Sequence, residues 1–439
     1  MKKMITKKLE EICLPEKGTI ISGPFGSNIG RKYFVEEGIP VIRGNNLSLS
    51  LDKFYDKDFV FVTEEKAEEL NCYAEKYDLI FTAAGTLGQV GIIPEDSHYD
   101  KYVISNKQIR ARVDRNKVDV LYAYYWFSSP WIQKLLSLSN KGSAVPLLSL
   151  WEVKNLPISF PESLEDQQKI VRVLETISQK IDNNNKINSA LEVMAKTIYD
   201  YWFLQFEFPN EEGKPYKSSG GKMIWNEELE REIPEGWKVK KIGETFSSSR
   251  GISYNSKNLG EKGVPMINLA SFKPGGGYKI EGIKRFSGDY DEDRCLKAYD
   301  LVMCNTQQTA IDYSKDIIGN AFLIPDIFES DIVSSHHVTT IKVKNENIKY
   351  YLCSLFNTKH FHRYIAGFTN GTNILGLLFN GVENYKCEIP DERTLERYSI
   401  FCRDIEKRKS QIIKENQELT SLRDFLLPLL MNGQVSFKE

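Results

Sequence analysis

The sequence contains no apolar run long enough to cross a bilayer. Stretches such as Leu121 to Phe127 fall far short of the roughly 20 residues a membrane helix needs, so no membrane partner is expected. The opening residues, Met1-Lys2-Lys3-Met4-Ile5-Thr6-Lys7-Lys8, turn acidic without an apolar segment, which does not read as a secretory signal. The seven cysteines are scattered and form no C-x-x-C pair. That argues against a disulfide framework or a zinc ribbon and for small buried residues in a reducing compartment, hence a cytoplasmic protein. A basic excess is also missing: the formal net charge is −2. Nucleic acid is neither indicated nor excluded, because phosphates require lysine and arginine only where they pass.

Catalytic signatures are absent as well. No Asn-Pro-Pro-aromatic or Asp-Pro-Pro-aromatic tetrapeptide of an amino-methyltransferase occurs. Gly220-Gly221-Lys222 is followed by Met223 rather than Ser or Thr, so it is no Walker loop, and no H-E-x-x-H is present. Gly275-Gly276-Gly277 reads as a turn. His336-His337 lies in a run continuing Val338-Thr339-Thr340-Ile341. On a strand, neighbours there face opposite sides, which makes a poor metal pair. Pro94-Glu95-Asp96 and Pro325-Asp326 lack the acid-x-Lys of a nuclease, and Glu64-Glu65 with Glu68-Glu69 read as a solvated helix face. A chain of 439 residues without these groups suits recognition or scaffolding.

What is present is a duplication. Gly38-Ile39-Pro40-Val41-Ile42 returns as Gly263-Val264-Pro265-Met266-Ile267, and Asp78-Leu79-Ile80-Phe81 as Asp300-Leu301-Val302-Met303. Gly91-Ile92-Ile93-Pro94 returns with drift as Ala321-Phe322-Leu323-Ile324-Pro325. Gly142-Ser143 and Pro161 return as Gly371-Thr372 and Pro390. The offset stays between about 220 and 232 residues, so one unit is written twice. Short Tyr/Phe/Ile/Val runs punctuated by Gly and Pro predict a mixed α/β (α+β) fold for each copy, with strands such as Ile39–Arg43, Leu79–Thr82, Val90–Ile93 and Gln108–Val113.

Each copy is followed by a helical pattern. Glycine and proline vanish between Pro161 and Pro209, and Ile170, Leu174, Ile177, Ile181, Leu191 and Ile198 recur at alternating steps of four and three, with Asn184 and Asn188 in the middle. A second seam holds Ile405, Ile412, Leu419 and Leu426, interrupted by Lys409, Asn416 and Arg423, and ends near Pro428 with Gly433 beyond. Either pattern alone suits one core-facing helix of a bundle. Heptads on both favour a pair, antiparallel if a pseudo-twofold axis crosses it. A helix of about 30 residues is about 45 Å long. The domains expected are 1–163, a helix over 164–208, a turn-rich linker over 209–233, a second domain over 234–392, and a helix over 393–432.

The residues resemble a known family. Gly23-Pro24-Phe25-Gly26-Ser27-Asn28, then Gly38 to Asn46, Asp78 to Thr82, Gly85-Thr86-Leu87-Gly88 and Gly91 to Pro94 are similar to the start of a target-recognition domain in the specificity subunit of type I restriction–modification systems. Gly142-Ser143-Ala144-Val145-Pro146, Pro157-Ile158 and Gln167-Gln168-Lys169-Ile170 match its passage into the first conserved helix. Ile233-Pro234-Glu235-Gly236-Trp237 matches the entry into the second domain, and Leu422 to Gly433 the end of the second helix. The resemblance covers essentially the whole chain. It departs in the second copy, where Asn305-Thr306-Gln307-Gln308-Thr309-Ala310 replaces Thr82 to Gly88 and Asn268-Leu269-Ala270-Ser271 replaces Arg43 to Asn46.

The resemblance implies two target-recognition domains joined by two long helices in an antiparallel coiled coil. Each domain would read one half of a bipartite, asymmetric site in double-stranded DNA, with the helices setting the spacer. The chain itself would be non-catalytic and hold no cofactor. Two methyltransferase subunits would bring S-adenosylmethionine for adenine methylation, and motor/nuclease subunits would bring ATP and Mg. The alternative is a duplicated protein-interaction scaffold with a coiled-coil stalk. If DNA is read, polar loop residues must reach base edges and phosphates. The candidates are Ser27, Asn28, Arg31, Lys32, Arg43, Asn45, Asn46, Lys107, Gln108 and Arg110 in the first domain, and Arg250, Tyr254, Asn255, Lys257, Asn268, Gln307, Gln308 and His336 in the second. Helices of this length would put half-site centres about one DNA turn, roughly 34–36 Å, apart.

Overall fold

A computed structural model describes residues 4–138, 147–308, 315–372 and 374–435, with Ser137, Leu138 and Gln308 described by their backbone alone. The motif Gly142 to Pro146 and the pair Thr309-Ala310 lie outside the described residues. The chain divides into two compact units, Met1–Ile181 with Glu418–Glu439, and Asp182–Gln417.

In the first unit an antiparallel sheet is ordered Ile20–Ser22, Gln108–Ala111, Leu79–Thr82, Val90–Ile92. Strand Leu79–Thr82 is buried along its whole length. Successive strand side chains point to opposite faces. Leu79 and Phe81 therefore join the core beneath helix Val120–Phe127, while Ile80 joins another core. That helix starts where the Asp119 carboxylate accepts from the N–H groups of Leu121 (3.0 Å) and Tyr122 (3.1 Å), relieving two orphan donors. Its Tyr122, Tyr124 and Tyr125 are fully buried, and each such side chain contributes about 1.5–3 kcal/mol. A second sheet, ordered Val60–Val62, Ile39–Ile42, Lys101–Ile104, Tyr73–Glu75, closes the other core, and its middle pair is parallel.

The second unit repeats this plan in register. Its sheet runs Phe246–Arg250, Val338–Val343, Leu301–Cys304, Ala321–Leu323. Leu301 pairs with Ile341 and Leu323 as Leu79 pairs with Ala111 and Ile92. Leu301 and Met303 enter one core, Val302 and Cys304 another. The smaller sheet again contains a parallel pair, Val264–Ile267 with Val333–Ser334. Glycine opens the equivalent strand in both copies for the same reason. A Cβ on Gly38 (φ +151°) would lie 2.3 Å from the Val62 carbonyl oxygen, and one on Gly263 (φ +108°) 2.0 Å from that of Phe286.

Two long helices, Leu164–Tyr199 and Glu392–Met431, contribute to both units and pair as an antiparallel coiled coil within each. In the first unit Ile170, Val171 and Leu174 share a core with Leu427, Leu430 and Met431. Ile177 is buried, while Ile181, Leu419 and Leu426 are half-buried. In the second unit the Asn184 amide donates to Glu415 (2.9 Å) and Asn416 (2.8 Å), Glu192 faces Lys409 at 3.5 Å, and the rings of Tyr199 and Tyr398 lie 6.4 Å apart. Residue numbers fall on one helix as they rise on the other. Ile405 and Ile412 are buried there, and Leu191 and Ile198 half-buried.

Three local expectations change. The first helix ends at Tyr199 and closes through a wider turn, Asp200–Leu204, with the Gln205 N–H donating to the Asp200 carbonyl at 3.1 Å. The second helix runs through Pro428 to Met431 and stops at Gly433 (φ +66°). Proline forgoes only the bond to the carbonyl of Asp424, an exposed residue. The segment 209–233 is more than a turn-rich connector: Met223–Asn226 pairs with Arg231–Pro234, and Phe208 stacks on Tyr216 and Trp237 at 4.5 and 5.1 Å.

Candidate nucleic-acid interface

In the first unit three loops meet at one end of the sheets. Strand Ile39–Ile42 passes through Arg43 into a tight turn, Gly44–Asn46. Asn46 builds that turn. It is fully buried, accepts from the Arg43 N–H (3.0 Å), and donates to the carbonyls of Tyr55 and Lys57 (2.9 Å each). Gln89 fixes the same turn by donating to the carbonyls of Gly44 (3.1 Å) and Leu47 (3.0 Å), and its oxygen accepts from the Thr82 hydroxyl (3.0 Å). The Gly23 backbone lies so close to the Ser105 carbonyl that a Cβ would sit 1.9 Å from it. Gly251 repeats that approach against Ser334 and Ser335, at 2.2 and 2.3 Å.

These loops enclose a half-open cavity of about 510 Å³. Arg43, Asn45, Lys107 and Gln108 line it, so four of the sequence candidates come together. Arg43 Nη2 and the Asn45 amide both donate to the Asp58 carbonyl at 3.2 Å. Gln108 is 1% exposed; its oxygen accepts from the Ser105 hydroxyl, while its Nε2 has no partner in the protein. Arg43 Nε is likewise buried and unpartnered. Thr82, Gln89 and Asn106 also line the cavity and were not singled out from sequence; the polar turn Ser105-Asn106-Lys107 beside Lys107 was the available signal.

Elsewhere in this unit Ser27, Asn28, Arg31 and Lys32 are exposed on two tight turns, Gly26–Asn28 and Arg31–Tyr33. The Ser27 hydroxyl donates to Asn28 (3.3 Å), and the Lys32 ammonium sits 4.7 Å from the Tyr33 ring centroid. Lys107 is exposed. Arg110 is a structural ion: it is buried, donates to the Gly18 carbonyl, and lies 3.8 Å from Asp78. Burial pulls its pKa down, against the pull of Asp78. Asp78 also accepts two bonds of 2.8 Å from Arg112, and that hydrogen bonding raises the Arg112 pKa. Phe25, 83% exposed between the glycines of its loop, was quoted in a motif but not as a contact.

In the second unit Arg250, Asn255 and Lys257 are exposed and Tyr254 is half-buried. The Asn255 oxygen accepts from the Lys257 N–H at 3.0 Å. His336 and His337 are not on the strand. They form the turn before it, and their ring centroids lie 3.8 Å apart, tilted by 41°, instead of facing apart, with the Tyr254 ring 5.8 Å from that of His336. Burial, then the neighbouring His336, lowers the His337 pKa. Asn268 and Gln307 are buried and engaged with backbone. Asn268 donates to the carbonyls of Met266 (3.2 Å) and Gly282 (2.9 Å), and Gln307 accepts from the N–H groups of Ile317 (2.7 Å) and Ile318 (3.2 Å). Gln308 ends the strand Thr306–Gln308, which pairs with Ile374–Leu377. Among the described residues no cluster of His, Cys, Asp and Glu could hold a metal, and no helix is long and apolar enough to cross a membrane.

The family described as the type I restriction modification DNA specificity domain matches residues 1–193 and again 234–415. The chain belongs to that family. As a member of the type I specificity family it is a DNA specificity subunit. It is 25% identical over 384 residues to the type I restriction enzyme MjaIX specificity subunit of Methanocaldococcus jannaschii, covering 86% of this chain and 82% of that protein. A second relative from the same organism, the MjaVIII specificity subunit, is 22% identical, covering 77% of this chain and 76% of its own. The crystal structure of a type I restriction–modification S subunit from M. genitalium shares the fold, with a TM-score of 0.53 at 15% identity over 98% of this chain and 96% of that one.

Proposed function

We propose that residues 1–163 and 234–392 each read one half of a bipartite, asymmetric site in double-stranded DNA, and that the paired helices set the unread spacer between the halves. The chain recruits two methyltransferase subunits, which supply S-adenosylmethionine and the adenine pocket, and motor/nuclease subunits, which supply ATP and Mg chemistry. It works in the cytoplasm. Flipping and methylating a base takes a pocket that the partner would provide. The observation that carries this reading is the pattern of divergence between the copies. Strand register and the strand-opening glycines are shared, while the polar positions at the loop ends differ. A common scaffold with dissimilar loop chemistry fits two half-sites of unlike sequence.

Among the candidates, Ser27, Asn28, Arg31, Lys32, Arg43, Asn45 and Lys107 stand at or near the surface in the first domain, and Arg250, Tyr254, Asn255, Lys257 and His336 in the second. They supply the phosphate and base-edge contacts in this proposal. Asn46, Arg110, Asn268 and Gln307 hold the loops that present them. Exchanging residues 234–392 for the equivalent domain of a relative is expected to change one half of the methylated sequence and leave the other half intact. A change in both halves would refute independent reading.

A further inference from the structure

The two buried donors at the first-unit cavity, Gln108 Nε2 and Arg43 Nε, are not repeated at the equivalent positions of the second copy, whose own unpartnered buried groups include Ser335 Oγ, His336 Nδ1 and His337 Nδ1. Strand pairing sets the equivalences. Thr82 pairs with Gln108 where Cys304 pairs with Val338, so Val338 stands at the position of Gln108. Val338 is buried in an apolar core. Arg43 and Asn268 each precede the tight turn after an equivalent strand. Asn268, however, is buried with its amide donating to two carbonyls and its oxygen accepting from the Ala270 N–H at 2.9 Å. The second copy thus keeps the frame and lacks both free donors.

Among the residues lining the first-unit cavity, the side-chain oxygens of Gln89 and Gln108 already accept bonds, and the unpartnered buried groups, Gln108 Nε2 and Arg43 Nε, are N–H donors. A buried donor without an acceptor is costly, so its persistence marks a place for a ligand acceptor. A backbone phosphate is the same in every half-site and would favour keeping these donors in both copies. A base is not. Guanine is the base that offers two adjacent acceptors, N7 and O6, and no donor on its major-groove edge.

We propose that the first-unit cavity receives the acceptor edge of a guanine in the first half-site, with Gln108 Nε2 and Arg43 Nε as the specificity-determining donors. This rests on the half-site reading above. It adds which base is read and by which atoms.

The test is the methylated sequence made by the complete modification complex carrying Gln108→Leu, Gln108→Glu or Arg43→Lys. Leucine at 108 places an apolar side chain where the second copy already tolerates Val338. Glutamate keeps the shape but replaces the donor with an acceptor, and lysine keeps the charge but removes Nε. Each variant is expected to lose about tenfold or more of its discrimination at one guanine in the half-site read by residues 1–163. The other half-site should stay unchanged in all three, and the thermal midpoint of the unbound complex should stay unchanged in Arg43→Lys, whose residue is half-buried. Unaltered discrimination in both Gln108→Leu and Arg43→Lys would overturn the assignment. So would a relaxed position that is not guanine, or a uniform loss at every sequence with a shallower salt dependence, which is the mark of a phosphate contact. The unsubstituted complex, measured in parallel, separates this failure from that of the parent reading: without a two-part methylated sequence, the half-site reading itself falls.

Discussion

Asp78 serves two arginines at once. Its carboxylate is buried, takes a two-pronged contact from Arg112 at 2.8 Å, and lies 3.8 Å from Arg110. Replacing it with alanine leaves the Arg110 guanidinium buried without a counter-charge, which costs about 3–5 kcal/mol. Urea unfolding of Asp78→Ala should show that loss, while Arg31→Ala, at an exposed residue, should leave stability within about 0.5 kcal/mol. The same scale shows where sequence reading stops. Asn45 and Asn46 are neighbours of one residue type, yet one faces solvent and the other ties three backbone groups together inside the turn. Arg110 likewise suited phosphate until the fold buried it beside Asp78. Residue type at a loop end signals polarity, and only the folded turn decides whether that polarity faces inward.

At the scale of elements, much was legible because periodicity reports burial directly. Asp78-Leu79-Ile80-Phe81 predicted a strand, and that strand is buried on both faces. The alternating steps from Ile170 to Ile198 predicted a long helix, and the polar breaks in both seams meet as a layer, with Asn184 against Asn416. A polar layer of this kind fixes register at some cost in stability. Lys409 is the strongest member. It is 6% exposed, 3.1 Å from Glu406, 3.5 Å from Glu192 and 5.1 Å from the centroid of the Tyr278 ring. Burial opposes its charge, but Glu406, Tyr278 and Glu192 outweigh that and raise its pKa. Lys409→Met leaves Glu406 without its cation and Glu192 with Lys273 alone, 3.7 Å away, and the chain should lose about 1–3 kcal/mol in chemical unfolding. An unchanged midpoint would show that the layer sets register alone. The continuation of the second helix through Pro428 to Met431 and the hairpin Met223–Pro234 were not legible, because a proline near a C-terminus and a polar turn-rich run each admit more than one backbone.

For the whole molecule, the duplication is the organising feature, the family domain occurring over residues 1–193 and again over 234–415. Two copies share the strand order of the larger sheet, core alternation and the glycines that open equivalent strands. They part at Gln108 against Val338 and Arg43 against Asn268, where a ligand would be met. Scaffold kept and loop chemistry varied is the arrangement a reader of two unlike half-sites needs. The most direct test is sequencing of DNA methylation in cells with and without this chain, their methyltransferase subunits unchanged. The account predicts one asymmetric two-part sequence, separated by an unread gap, that is methylated only when the chain is present. The same methylated sequence in its absence, or a continuous sequence without a gap, would contradict it.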